Sequence, residues 1–206
     1  MAESLRIVVL ASGSGTNLQA ILDGLHGKGA VEVVGVGSDK PDARALDRAR
    51  SAGVATEAFP GSEYEGREAR DKAMAEWIEG LGVGLVVLAG YMQLLSAPFV
   101  ARFRDRIVNI HPALLPSFPG LDAVGQALDA GVRVTGVTVH FVDEGVDSGA
   151  VILQKAVAVP AGRDRGELEA AIHACEHELY PRAIGLIADG RVRIDPANPR
   201  VVNIDE

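Results

Sequence analysis

Asn109 and His111 stand two residues apart in the run Ile107-Val108-Asn109-Ile110-His111. Strand side chains alternate between faces, so positions i and i+2 share one. An imidazole so placed at a strand end, beside an amide on the same face, can serve as a positioned general acid. The next residues, Pro112-Ala113-Leu114-Leu115-Pro116-Ser117-Phe118-Pro119-Gly120, contain three prolines. They cannot form helix and make a stiff mount for a positioned acid. A lone histidine at a strand end is often no more than a structural hydrogen-bonder; the rigid loop favours the chemical reading. Asp147 follows in the acidic turn Asp143-Glu144-Gly145-Val146-Asp147-Ser148-Gly149. Acidic turns are commonly solvated chain reversals. A carboxylate folded over His111 would instead favour the imidazolium form.

A second candidate is Ser12-Gly13-Ser14-Gly15-Thr16-Asn17, between an apolar run and a helical pattern. Glycines there allow close backbone approach, and the amides of a helix start suit an anion. A dinucleotide site would want a third glycine where Leu18 stands, although Asp39 falls where an acidic residue would hold a ribose. A tight turn capped by Thr16 or Asn17 is the plainer reading. His173-Ala174-Cys175-Glu176-His177 spells an inverted zinc-hydrolase helix pattern with no evident third ligand. A mixed polar helix surface explains it as well, and Glu176 could instead edge a phosphate site. Arg67, among Glu65, Glu68 and Arg70, is either a solvated ion-pair partner or a clamp for a substrate carboxylate.

The elements that must position these residues alternate in type. Apolar strand patterns cover 6–11, 31–37, 54–59, 85–89 and 107–110. Helical patterns cover 17–25, 41–52, 63–80 and 98–104, with Pro41 near the start of the second and Gly53 past its end. The run Leu85-Val86-Val87-Leu88-Ala89 is apolar throughout and should be covered on both faces, as parallel strands are. Residues 121–130 read as a helix, and 132–143 as a strand with one wetter face, paired antiparallel with 150–159. A long helix over 164–188, a short strand and a polar tail complete the chain. This order predicts an α/β class, a doubly wound Rossmann-like and mostly parallel sheet with an antiparallel C-terminal extension. No linker divides it, so one domain over 1–206 in two lobes, 1–105 and 106–206, is expected.

Composition excludes several classes. The 206 residues are 48% hydrophobic and 23% charged, which is ordinary globular usage. A net charge of −8 and 4% aromatics argue against a nucleic-acid partner, which needs basic surface and stacking rings. Apolar runs such as 7–11 are too short to span a membrane. The one cysteine, Cys175, cannot form an internal disulfide, and a reducing cytoplasm is the natural compartment.

Four segments resemble one family: Val8-Val9-Leu10-Ala11-Ser12-Gly13-Ser14-Gly15-Thr16-Asn17-Leu18-Gln19-Ala20-Ile21; Leu88-Ala89-Gly90-Tyr91-Met92-Gln93-Leu94-Leu95; Asn109-Ile110-His111-Pro112-Ala113-Leu114-Leu115-Pro116; and Gly136-Val137-Thr138-Val139-His140-Phe141-Val142 with Asp147-Ser148-Gly149. The family is that of the phosphoribosylglycinamide formyltransferases, among the folate-dependent formyltransferases. The resemblance implies formyl transfer from 10-formyltetrahydrofolate to glycinamide ribonucleotide in purine synthesis, with no metal. It implies Asn109, His111 and Asp147 as the catalytic set. It places the ribonucleotide on Gly15, Thr16, Asn17 and Glu176. It places folate on Arg67, Met92, Gln93, Leu94, Leu95, Asn109, Asp143, Glu144, Gly145, Val146 and Asp147. The first lobe would carry the ribonucleotide phosphate, the second catalysis and folate. Assembly is expected as a monomer or homodimer. Many relatives carry His or Asn where Asp122 stands, a polar residue at Gly125 and Arg at Ala171, so binding details there are expected to differ. A formyltetrahydrofolate hydrolase, usually with an added N-terminal domain, and a nicotinamide-dependent oxidoreductase on Gly13, Gly15 and Asp39 are the alternatives.

Overall fold

The computed structural model describes residues 4–205. Its contacts divide the chain into a first unit ending at Val108 and a second starting at Asn109. In the first unit, β1 (Leu5–Leu10), β2 (Val31–Ser38), β3 (Ala55–Ala58) and β4 (Leu85–Leu88) pair in parallel. Leu10 lies opposite both Gly37 and Leu88. All four side chains of β4 are buried, as its unbroken apolar sequence requires. The crossovers are α1 (Thr16–Gly24), α2 (Arg44–Ser51) and α3 (Arg67–Gly80). The face of α1 that carries Leu18, Ile21 and Leu22 is buried, each such side chain contributing ~1.5–3 kcal/mol. Pro41 precedes α2 by three residues instead of opening it, and 3-10 turn Gly61–Glu63 precedes α3. A short α4 (Ala97–Arg102) closes this unit.

Strand β5 (Ile107–His111) carries Asn109 and His111. In the second unit follow α5 (Ala123–Asp129), β6 (Val134–Phe141), β7 (Val151–Ala158) and α6 (Arg165–Ala188). The main sheet has seven strands in the order β3-β2-β1-β4-β5-β6-β7, with β6 and β7 antiparallel. The expected wetter face of the sixth strand is not there. Every residue of β6 after Val134 is buried, and the polar exposure falls on its partner β7. The reason is α6, which packs Leu168, Ile172, Leu179, Ala183 and Ile184 against β6 and β7. Asp164 caps α6 by accepting from the Glu167 amide at 2.8 Å. The C-terminal segment is a hairpin rather than one strand and a tail: β8 (Val192–Asp195) pairs antiparallel with β9 (Asn198–Ile204) as a separate sheet. Among the described residues no helix is long and apolar enough to cross a membrane.

Candidate active site

Three predicted side chains come together in the second unit. Asn109 and His111 leave β5 on one side, and Asp147 reaches them from the loop between β6 and β7. His111 Nδ1 lies 3.4 Å from Asp147 Oδ2, and its Nε2 lies 2.8 Å from the Phe118 carbonyl oxygen. Both partners are acceptors, so a ring with a proton on each nitrogen is satisfied at both ends. Asp147 Oδ2 also accepts from the Gly120 amide at 2.7 Å. His111 is buried, while the Asp147 side chain keeps 14% of its surface in solvent.

His140, on β6, joins this group without having been foreseen. Its Nδ1 lies 2.7 Å from the Phe141 carbonyl, which must accept, so Nδ1 carries the proton. Nε2 is then the acceptor for Asn109 Nδ2 at 3.2 Å. This contact sets which way the Asn109 amide points. His140 Nε2 is also 3.7 Å from Asp147 Oδ1. Burial pushes the His140 pKa down, against the opposing pull of the Phe141 carbonyl and Asp147. The Gly136–His140 segment was visible in the sequence as a motif, but nothing in an all-buried strand marks one polar residue as functional.

The proline loop is bolted in place. Thr138 Oγ1 donates to the Ala113 carbonyl at 2.6 Å and accepts from the Leu115 amide at 3.0 Å. Gln154 Nε2 donates to the Leu115 carbonyl at 2.8 Å. A Cβ at Gly136 would lie 2.3 Å from the Lys155 carbonyl and 2.6 Å from Leu114, so only glycine lets the loop lie this close. In the second loop, Asp143 Oδ1 accepts from the Gly145 amide at 3.0 Å and the Ser148 hydroxyl at 2.7 Å. Glu144 and Val146 stay exposed.

The other candidates lie in the first unit, apart from Glu176. Gly15 has φ +69° and serves as the N-cap of α1 with no side-chain cap. Ala45 N donates to the Gly13 carbonyl at 3.1 Å, and Arg48 Nε to that of Ser14 at 2.8 Å. The loop is thus shaped through its main chain. Thr16 is half-buried and Asn17 buried. Segment 92–95 is pinned by side chains as well. Met92 N donates to Ser12 Oγ at 2.8 Å, and Gln93 Nε2 to Asp39 Oδ2 at 3.0 Å. Met92 and Leu94 nevertheless leave 61% and 62% of their surface bare; Leu95 is half-buried. Asp39 is therefore engaged inside the protein instead of facing a nucleotide ribose.

Arg67 opens α3 and is exposed. The arginine tied to segment 92–95 is Arg70, one turn further on. It is buried, pairs with Asp71 at 2.7 Å, and donates to Gln93 Oε1 and the Leu94 carbonyl, both at 3.3 Å. Asp71 in turn accepts from the Ser96 amide at 2.6 Å. Several charged residues crowd the start of α3, and only tertiary partners decide which one is buried. Glu176 is buried on α6. His173 and His177 stack at 6.4 Å, and among the described residues no third metal-ligating side chain joins them.

An amide, an imidazole and a carboxylate gather at the carboxyl end of β5, where α/β sheets commonly place their sites, and such a set can donate hydrogen bonds to an oxygen that gains charge. Residues 5–184 match the family model described as formyl transferase. The chain belongs to that family. It is 44% identical over 193 residues to the phosphoribosylglycinamide formyltransferase of Escherichia coli (strain K12), covering 92% of this chain and 90% of that protein. It is 43% identical over 198 residues to the trifunctional purine biosynthetic protein adenosine-3 of Drosophila melanogaster, where it covers 93% of this chain but spans only 14% of the relative's length. The crystal structure of glycinamide ribonucleotide transformylase 1 from Symbiobacterium toebii superposes with a TM-score of 0.95 at 50% identity, over 100% of this chain and 96% of that one.

Proposed function

We propose that this chain transfers the formyl group of 10-formyltetrahydrofolate to the amino group of glycinamide ribonucleotide, giving formylglycinamide ribonucleotide and tetrahydrofolate in purine synthesis. The observation that carries the reading is the cluster of Asn109, His111 and Asp147, with His111 Nδ1 3.4 Å from Asp147. The identity to proteins named for this reaction supports it along nearly the whole chain. The hydrolase and nicotinamide alternatives have no such support.

The amine nitrogen of the ribonucleotide forms a bond to the formyl carbon. The bond from that carbon to the folate nitrogen breaks, the amine gives up a proton, and the folate nitrogen gains one. Negative charge develops on the formyl oxygen. Asn109 Nδ2 and protonated His111 donate to it. The His111 Nε2 proton is held by the Phe118 carbonyl in this structure, so the reacting oxygen shares or displaces that bond. Asp147 holds the charged ring and its direction, and an ordered water relays protons.

Residues 1–105 take the ribonucleotide phosphate, on the amides and side chains of Gly15, Thr16 and Asn17, with Glu176 on the ribose. An uncapped helix start with a shaped main chain fits an anion. Formyl-folate lies on Arg67, segment 92–95, Asn109 and loop 143–147. Bare Met92 and Leu94 beside pinned backbone groups suit a flat heteroaromatic ring with donors and acceptors at its edge. No step calls for a metal. Residues 106–206 carry catalysis, and the cytoplasm is the place of action.

The test follows formyl-folate consumption by absorbance with and without glycinamide ribonucleotide, in chelator. Turnover that requires the ribonucleotide is the expected result. Equal turnover without it would mean a hydrolase, and none at all would return the site to the dinucleotide and metal readings.

A further inference from the structure

Segment 118–122 supplies both backbone contacts of the His111–Asp147 pair. The Phe118 carbonyl accepts from His111 Nε2 and the Gly120 amide donates to Asp147 Oδ2. The segment holds these groups in an unfavourable conformation. Phe118, Gly120 and Asp122 have φ of 55°, 80° and 54°, and Asp147 itself has 51°. Among the described residues five non-glycine residues have positive φ, and three of them are Phe118, Asp122 and Asp147. A side chain with a Cβ disfavours this region, a bulky one most, and such a conformation persists only where the surroundings over-determine it.

The surroundings are visible. Gln126, on α5, donates from Nε2 to the Pro119 carbonyl at 3.0 Å and to the Leu121 carbonyl at 2.9 Å. These two carbonyls flank Gly120. One planar amide therefore ties both sides of the residue whose N–H orients Asp147. The next ring is ionic: Arg165 Nη2 lies 2.7 Å from Asp122 Oδ1, and Asp122 caps α5 by accepting from the Gly125 amide at 3.3 Å. A Cβ at Gly125 would lie 2.2 Å from Asp122 Oδ2, so a side chain there would have to move the capping carboxylate.

We propose that Gln126 is a positioning residue for His111 and Asp147: its amide fixes segment 118–122, whose carbonyl and amide set the direction of both side chains. This rests on the roles given to His111 and Asp147 above. The test compares Gln126→Met, which keeps the length and loses both donors, with Gln126→Lys, which restores donors at similar reach. In Gln126→Met, kcat should fall about tenfold while the KM for the ribonucleotide stays within about twofold. The His111 ring signals in a nitrogen–proton correlation spectrum should move or broaden. Gln126→Lys should recover most of the rate and the wild-type signals. Wild-type kcat in Gln126→Met with unmoved ring signals would overturn the proposal, as would a lysine variant as slow as the methionine one. Should Gln126→Met fail to fold, Gln126→Glu, which turns oxygens toward the two carbonyls, carries the same expected loss. If the wild type itself shows no ribonucleotide-dependent turnover, the functional reading has failed; the ring signals need no substrate and still decide the positioning claim.

Discussion

In the first unit, loop 13–17 takes its shape from main chain. Gly15 turns it with φ +69°, and carbonyls of Gly13 and Ser14 are held by Ala45 N and Arg48 Nε. None of its three side chains, Ser14, Thr16 and Asn17, can titrate. In the second unit the contacts run through ionisable side chains, His111, His140 and Asp147, held by loops with non-glycine residues at positive φ. The fold of the first region should tolerate a change of the exposed Ser14 side chain and resist an added Cβ at Gly15. The second should resist any change of polarity, and it holds His140, whose pKa burial pushes down.

The largest expected effect tests the second region. On the proposed mechanism, Asn109→Ala and His111→Ala each remove a donor from the developing oxyanion, and losing one such donor typically costs ~10²–10³ in turnover. Single-turnover and steady-state rates on formyl-folate check this. A variant that retained more than about a tenth of wild-type turnover would remove its residue from the catalytic set, given that scale of effect.

A smaller effect tests the first region. A Cβ at position 15 would lie 2.8 Å from both Cα and Cβ of Ala45, at a φ that alanine avoids. Gly15→Ala should cost ~1–3 kcal/mol of stability and raise the KM for the ribonucleotide, with kcat at saturation largely kept. Ser14→Ala, at an exposed side chain whose carbonyl alone is used, should stay within about 0.5 kcal/mol of wild type. Denaturant unfolding and substrate titrations measure both. Equal losses in the two variants would mean that the loop depends on side chains after all.

The same contrast explains what was legible in the sequence. Asn109 and His111 were readable because period-two alternation fixes a shared face without tertiary knowledge. The alternating strands and helices gave the sheet, since a run such as Leu85-Val86-Val87-Leu88 has no use except burial on both sides. His140 was not readable: β6 is covered by α6, so its polar residues sit among buried ones and periodicity is silent. Arg70 was hidden for a related reason. Its partners Gln93 and Leu94 are more than twenty residues away, and nothing local separates it from Arg67. The C-terminal hairpin is hard to read from sequence, despite the turn-forming Asp195-Pro196-Ala197-Asn198, because β9 is mostly exposed and carries little apolar pattern.

The smallest effect is a slope. Burial lowers the His140 pKa, so in the folded protein the ring resists a proton that the unfolded chain accepts near the ordinary value of about 6.5. The unfolded state therefore binds more protons below that value, and stability rises with pH wherever this holds. The contribution is intact above about pH 6.5 and is lost as pH falls from there toward the folded-state pKa. His177, half-buried and lowered by burial and by His173, adds to the same acid-side loss. Unfolding free energies of wild type and His140→Asn between about pH 8 and 5 measure the difference. The variant should show a shallower slope below about pH 6.5, by at most one proton, or ~1.4 kcal/mol per pH unit. Gly15→Ala should lower the whole curve and leave its slope alone, because nothing in loop 13–17 titrates. If His140→Asn kept the full slope, the proton uptake would belong to another group, and the division between a main-chain loop and a titrating cluster would have to be drawn without His140.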